Sequence, residues 1–234
     1  MITNEFSMNH ENRLAENALS KKEQEKQQFF RWDITENAEL VGEHHHPKLK
    51  AISKIPDVKR LVTLNNAPYE QHPEECGLCF YTKDSIIERI WNNRHKYVNL
   101  VQRFPLVIGL DYSILCNMYY PQQVYNCWRN YVMTYWLQQF HPTVVPNAGF
   151  GDKDTFPWTL DGMPEDSWIS VTTQGCFDNY ILKHIFLNGL HELVRQKHPK
   201  GIIVYGLFPQ EWIDKFPVPI IIFPSYSQNR WGGI

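Results

Sequence analysis

Apolar stretches along this chain repeatedly end in a polar residue or a glycine. They read Val107-Ile-Gly-Leu-Asp-Tyr-Ser113, Thr143-Val-Val-Pro-Asn147, Ile169-Ser-Val-Thr-Thr-Gln-Gly175 and Ile202-Ile-Val-Tyr-Gly206, with Leu160-Asp-Gly-Met-Pro164 between the second and third. Short runs rich in Val and Ile read as strands buried on both faces. Together with Gly77–Tyr81 and Pro219–Phe223 they make about six strands, and Arg60–Leu64 is a further candidate. Between them the period changes. Ile86, Ile87, Ile90, Trp91, Tyr97, Val98 and Val101 follow Asp84, a candidate N-cap, at mostly helical spacing. Pro121 suits the start of a helix whose face carries Val124, Cys127, Trp128, Tyr131 and Tyr135, ended by His141-Pro142. Ile181, Ile185, Leu190, Leu193 and Val194 mark a third helix, ending near His198-Pro199.

Strand and helix therefore alternate. The expected fold is α/β: a mainly parallel sheet of about six strands with crossover helices, either an open sheet or a partial TIM-barrel-like one. About six strands are too few for a closed eight-stranded barrel. Residues 1–34 form a polar helical arm centred on Lys21–Gln28, with a thin apolar face of Leu14, Ala15, Ala18 and Leu19. Phe29, Phe30 and Trp32 are expected to pin its end. Residues 35–234 form one α/β domain.

Strand ends of a parallel sheet converge on one face, where ligands bind. Asp111 ends an apolar strand, and with Asp161 it could hold a divalent metal or divide general acid and base. Asp161-Gly162 is also a common turn pair. Ser113, Asn147, Thr172, Thr173 and Gln174 could orient a polar ligand. Arg129 could neutralise an anion; the simpler expectation is a buried salt bridge to Asp111 or Glu88.

The 234 residues are 43% hydrophobic and 14% aromatic, with a formal net charge of −2. That balance lacks the basic excess of a duplex-binding domain. No apolar run approaches the roughly 20 residues that span a bilayer. The amino terminus lacks a signal-peptide pattern, which makes a cytosolic location the simplest expectation.

Five scattered cysteines suggest free thiols. Cys76-Gly-Leu-Cys79, with His72 close by and His44-His45-His46 upstream, resembles half of a zinc site, but no second pair completes four ligands. The triple histidine is expected in a solvated loop. His191-Glu192 is followed by Arg195, so the zinc-protease spacing fails. Gly149-Phe-Gly-Asp-Lys-Asp154 matches no phosphate loop and reads as a turn, with a lid over the strand ends as the alternative. Arg230-Trp-Gly-Gly-Ile234 reads as a frayed tail.

Several pieces in order resemble the domain of unknown function 4417 family. They are Glu88-Arg-Ile-Trp-Asn-Asn93, Asp111-Tyr-Ser113, Tyr125-Asn-Cys-Trp-Arg-Asn130 with Tyr135-Trp136, Val144-Val-Pro-Asn147, Asp161-Gly-Met-Pro164, Ser170-Val-Thr-Thr-Gln-Gly175 and Val204-Tyr-Gly206. The resemblance spans roughly Phe80 to Gly206. It implies an α/β, partial-barrel-like domain in a phage or mobile-element setting, and it implies no activity. Where the family carries Pro-Asp-Phe-Ser, this chain has Leu110 and Tyr112. Cys116-Asn117 stands near the place of a second acidic residue, so a mechanism built on that acid does not carry over.

Two functions follow as expectations. One is an enzyme, or a former enzyme, acting on a small polar or anionic ligand such as a nucleotide or sugar phosphate. The other is a non-catalytic protein that sequesters a host metabolite or binds a host protein. A nucleic-acid processor suits the implied setting but not the charge.

Overall fold

The computed structural model describes residues 20–177 and 179–226. The thin apolar face at residues 14–19 and the tail at Arg230–Ile234 lie outside the described residues. The chain divides into two compact units, residues 1–37 and 38–234.

In the first unit, helix α1 (Lys21–Phe30) starts at a capping box, in which Ser20 and Glu23 satisfy each other's backbone donors. It ends at Arg31 in the left-handed region (φ 62°), and α2 (Trp32–Thr35) follows. Phe29, Phe30 and Trp32 are exposed and pack on one another, with successive ring centroids 5.0 Å apart.

The second unit opens with an antiparallel pair, β1 (Leu40–Val41) and β2 (His46–Pro47). Seven parallel strands follow. Strands β3 (Arg60–Thr63), β4 (Cys76–Cys79), β5 (Leu106–Ile108) and β6 (Val144–Val145) form one sheet. The second sheet contains β7 (Trp168–Thr172), β8 (Gly201–Tyr205) and β9 (Ile220–Phe223). Spatial order follows chain order in both sheets. A parallel bridge between Asn147 and Ser170 joins them, with Ala148 N and Ser170 N donating to Ser170 O and Pro146 O at 2.8 Å each.

The helices lie between these strands: α3 (Asp84–Asn93) and α4 (Val98–Val101) before β5, α5 (Tyr120–Phe140) before β6, α6 (Phe156–Thr159) before β7, α7 (Tyr180–Lys197) before β8 and α8 (Gln210–Ile213) before β9. The single helix expected over residues 84–101 is broken at Asn93 (φ −135°) and resumes as a 3-10 turn at Arg94–Tyr97. Lys83, not Asp84, is the N-cap of α3.

Strand alternation sorts the core into two layers. Leu61, Cys79, Leu106, Ile108, Val145, Ile203, Tyr205 and Phe223 form one cluster drawn from both sheets. Ile169, Val171, Ile202 and Val204 face the other way, against Phe186, Leu190 and Leu193 of α7 and Cys127 and Tyr131 of α5.

Strand β5 ends sooner than its sequence suggests because α5 captures the chain beyond it. Thr134 Oγ1 accepts from Leu110 N at 3.1 Å, and Asn130 bonds both Tyr112 N (2.6 Å) and Tyr112 O (3.0 Å). Asn126 Nδ2 donates to Ser113 O at 2.7 Å. Lower on the same helix, Gln138 accepts from Lys50 N at 2.8 Å and donates to Val144 O at 3.1 Å. These residues recur every fourth position, so they form one polar stripe on a mostly buried helix.

The Gly149–Asp154 segment is anchored at Phe150, whose ring lies so close to Gly189 of α7 that an added Cβ would sit 2.1 Å from it. Gly189→Ala therefore drives a methyl into that ring. It is expected to destabilise the fold by about 1–3 kcal/mol, as overpacked cores do. Urea unfolding of the variant checks this; an unchanged midpoint would mean that Phe150 is loosely held.

Candidate functional site

The site is built just beyond the ends of β4, β5 and β6, beside the middle of β7. Asn147 follows β6 and is buried. Its Oδ1 accepts from the Tyr81 hydroxyl at 2.8 Å, while its Nδ2 donates to Leu110 O at 3.2 Å and to Asp111 Oδ1 at 2.8 Å. The Tyr81 hydroxyl also lies 2.5 Å from Ser170 Oγ, which reaches Ile203 O at 3.2 Å. Tyr81 stacks on Tyr205 with centroids 4.9 Å apart. One buried network thus spans the two sheets and ends at the Asp111 carboxylate.

Asp111 as a residue keeps some solvent contact, but its carboxyl lies below the surface. Burial pushes it from 3.8 up to about 7, against the stabilising bond from Asn147, and the Asp84 charge raises it further. Oδ2 bonds to no described residue. Near neutral pH this carboxyl can both take and give a proton.

Asp84 is the acid that sequence reasoning assigned to a cap. Its Oδ1 accepts from Ser113 N at 3.2 Å and from Ser113 Oγ at 3.1 Å. The expected partner, Asp161, lies elsewhere. Its carboxyl packs against Gly42, beside the β1–β2 pair, and feels Lys197, His44 and Glu43 rather than Asp111. Burial raises its pKa.

The remaining expected ligand contacts are mostly engaged within the fold. The Thr172 and Thr173 hydroxyls donate to Tyr205 O at 3.2 and 3.5 Å, and Thr172 Oγ1 also accepts from Gln174 N at 3.2 Å. Gln174 is exposed. Arg129 is buried: it pairs with Glu88, donates to Asn126 Oδ1 at 2.5 Å and stacks on the Tyr112 ring, its Cζ 3.6 Å from the centroid.

Cys76 and Cys79 do not converge with His72. Three residues apart on β4, they project to opposite faces. Burial pushes the Cys79 thiol up to about 12, and His72 is an exposed neighbour of Glu74. Among the described residues no three His, Cys, Asp or Glu side chains are grouped to hold a metal ion. The five cysteines are free.

The histidine run is not a solvated loop throughout. His46 is fully buried and stacks on Tyr131 with centroids 4.5 Å apart. Neither ring nitrogen has a hydrogen-bond partner among the described residues, and burial lowers its pKa from 6.5 to about 4. Burial alternates along the run, with His44 half-buried, His45 exposed and His46 buried, which three identical residues do not signal in the sequence.

The chain belongs to the family described as "Domain of unknown function (DUF4417)", whose model matches residues 38–226. It is similar to the Gene 1 protein of Mycobacterium phage D29, 25% identical over 188 residues, covering 79% of this chain and 68% of the relative. The Gene 1 protein of Mycobacterium phage L5 is 27% identical over 156 residues, covering 66% of this chain and 67% of the relative. No solved structure matches the chain significantly. No helix among the described residues is long and apolar enough to cross a membrane.

Asp111 and His46 load stability in opposite directions. Asp111 titrates higher when folded, so the folded state holds the extra proton and stability falls as pH rises from about 4 to about 7. His46 titrates lower when folded, so stability falls as pH drops from 6.5 towards about 4. The two slopes partly cancel in the intact protein and separate in single variants. Asp111→Asn is expected to gain up to about 4 kcal/mol over the parent between pH 4 and 8. Unfolding measured across that range checks this; a pH-independent difference would contradict the buried-carboxyl assignment.

Proposed function

We propose that the chain binds a small polar molecule at the carboxyl ends of its strands, with Asp111 as the proton-exchanging group. The observation that carries this reading is the half-engaged carboxyl: Asn147 holds Oδ1, and Oδ2 has no described partner. Asp84 takes the second-acid role first expected of Asp161, by orienting the Ser113 hydroxyl. A ligand hydroxyl or amine facing Asp111 suits this arrangement, because Arg129 is already committed to Glu88. Sequential parallel strands around one shared inner cluster support a partial-barrel reading of the scaffold.

A second reading, a surface that binds a host protein without catalysis, draws on exposed Leu115, Tyr119 and Tyr120 in the segment after Asp111. Family membership and the phage relatives agree with either reading.

Native mass spectrometry of the purified protein, before and after denaturation, separates the two. The ligand reading predicts a small molecule that co-purifies with the parent and is depleted in Asp111→Asn, which keeps its fold. A ligand-free parent that captures a protein through a surface lost in Tyr119→Ala/Tyr120→Ala would favour the second.

A further inference from the structure

Helix α3 carries a second polar feature, one turn beyond Asp84 and facing outwards. Arg89, Asn92 and Asn93 stand at i, i+3 and i+4 on its last turns, and Lys96 and Tyr97 follow on the 3-10 turn at Arg94–Tyr97. Around the break at Asn93 lies a shallow, open groove of about 420 Å³, lined by these five residues and Glu88.

The electrostatics of the groove are uneven. Glu88 is paired with Arg129 from α5, so its charge is neutralised from behind. The Arg89 and Lys96 side chains make no hydrogen bond or ion pair with any described residue. Two free cations therefore face one groove whose acid is already matched. A phosphate monoester carries about −1.5 to −2 charges at neutral pH, which balances this pair better than a single carboxylate. Tyr97 offers a ring for stacking; Asn92 Nδ2 donates to Glu88 Oε2 at 3.4 Å, which leaves its Oδ1 and the Asn93 amide for a heterocycle or sugar.

We propose that this groove binds a phosphate monoester of nucleotide size. The site is separate from the rim around Asp111 and does not depend on the reading given for it.

Isothermal titration of the full chain tests this with each common nucleoside 5′-monophosphate, the parent nucleosides, inorganic phosphate and a single-stranded oligonucleotide. At least one monophosphate is expected to bind with Kd below about 1 mM. Its nucleoside and inorganic phosphate should each bind at least about tenfold more weakly. Arg89→Gln/Lys96→Gln should weaken binding by at least about tenfold without moving the unfolding midpoint, since both side chains are exposed. Asp111→Asn should leave it unchanged. The proposal is overturned if no monophosphate binds at millimolar concentration, or if the double variant binds like the parent. It is also overturned if inorganic phosphate binds as tightly as the ester, or if only the oligonucleotide binds. Loss of binding in Asp111→Asn would move the ester to the rim and equally overturn the groove.

Discussion

The hydroxyl of Tyr81 is the point on which the two sheets depend. It donates to Asn147 and meets Ser170, across the bridge that joins the two sheets. Elsewhere the inner cluster is held by apolar packing, which is strong but undirected. A phenol buried without partners would cost about 1–3 kcal/mol. The network therefore rewards one alignment of the sheets. It also fixes Asn147, whose amide nitrogen is divided between Leu110 O and the Asp111 carboxylate. The architecture and the chemistry of the candidate site share these few atoms.

Helix α5 supplies the second constraint. Its polar stripe of Asn126, Asn130, Thr134 and Gln138 faces the interior, bonding main-chain groups of neighbouring segments. Buried amides are acceptable only when satisfied, and each here meets a backbone group that leaves a strand or enters one. By taking residues 110–113 off the β5 ladder, the helix sets the depth of Asp111 and carries Ser113 to Asp84. Arg129, on the same helix, ties α5 to α3 through Glu88.

Much of the scaffold was legible because three longer helices separate β4 from β5, β5 from β6 and β7 from β8. Val and Ile runs marked the strands, and Pro121 and His141 bracketed α5 closely. The site was legible in part. Asp111 and Asn147 stood out as polar residues closing apolar runs. Their partners did not, because Tyr81 and Ser170 look like ordinary strand residues until registers are known. Asp84 was misread as a cap since its reach to Ser113 spans 29 positions. Asp161 was paired with Asp111 on strand-end logic alone, although it precedes β7 and sits against Gly42. His46 was hidden because a run of three histidines reads as polar, and only burial against Tyr131 separates it from its neighbours.

The account rests on a carboxyl held below the surface at the end of β5 and divided between an amide and solvent. Carbon-13 NMR titration of the Asp111 side chain tests that most directly. A midpoint near 7 is predicted. A midpoint near the ordinary aspartate value of about 4 would contradict it, leaving Asp111 as a plain hydrogen-bond acceptor for Asn147.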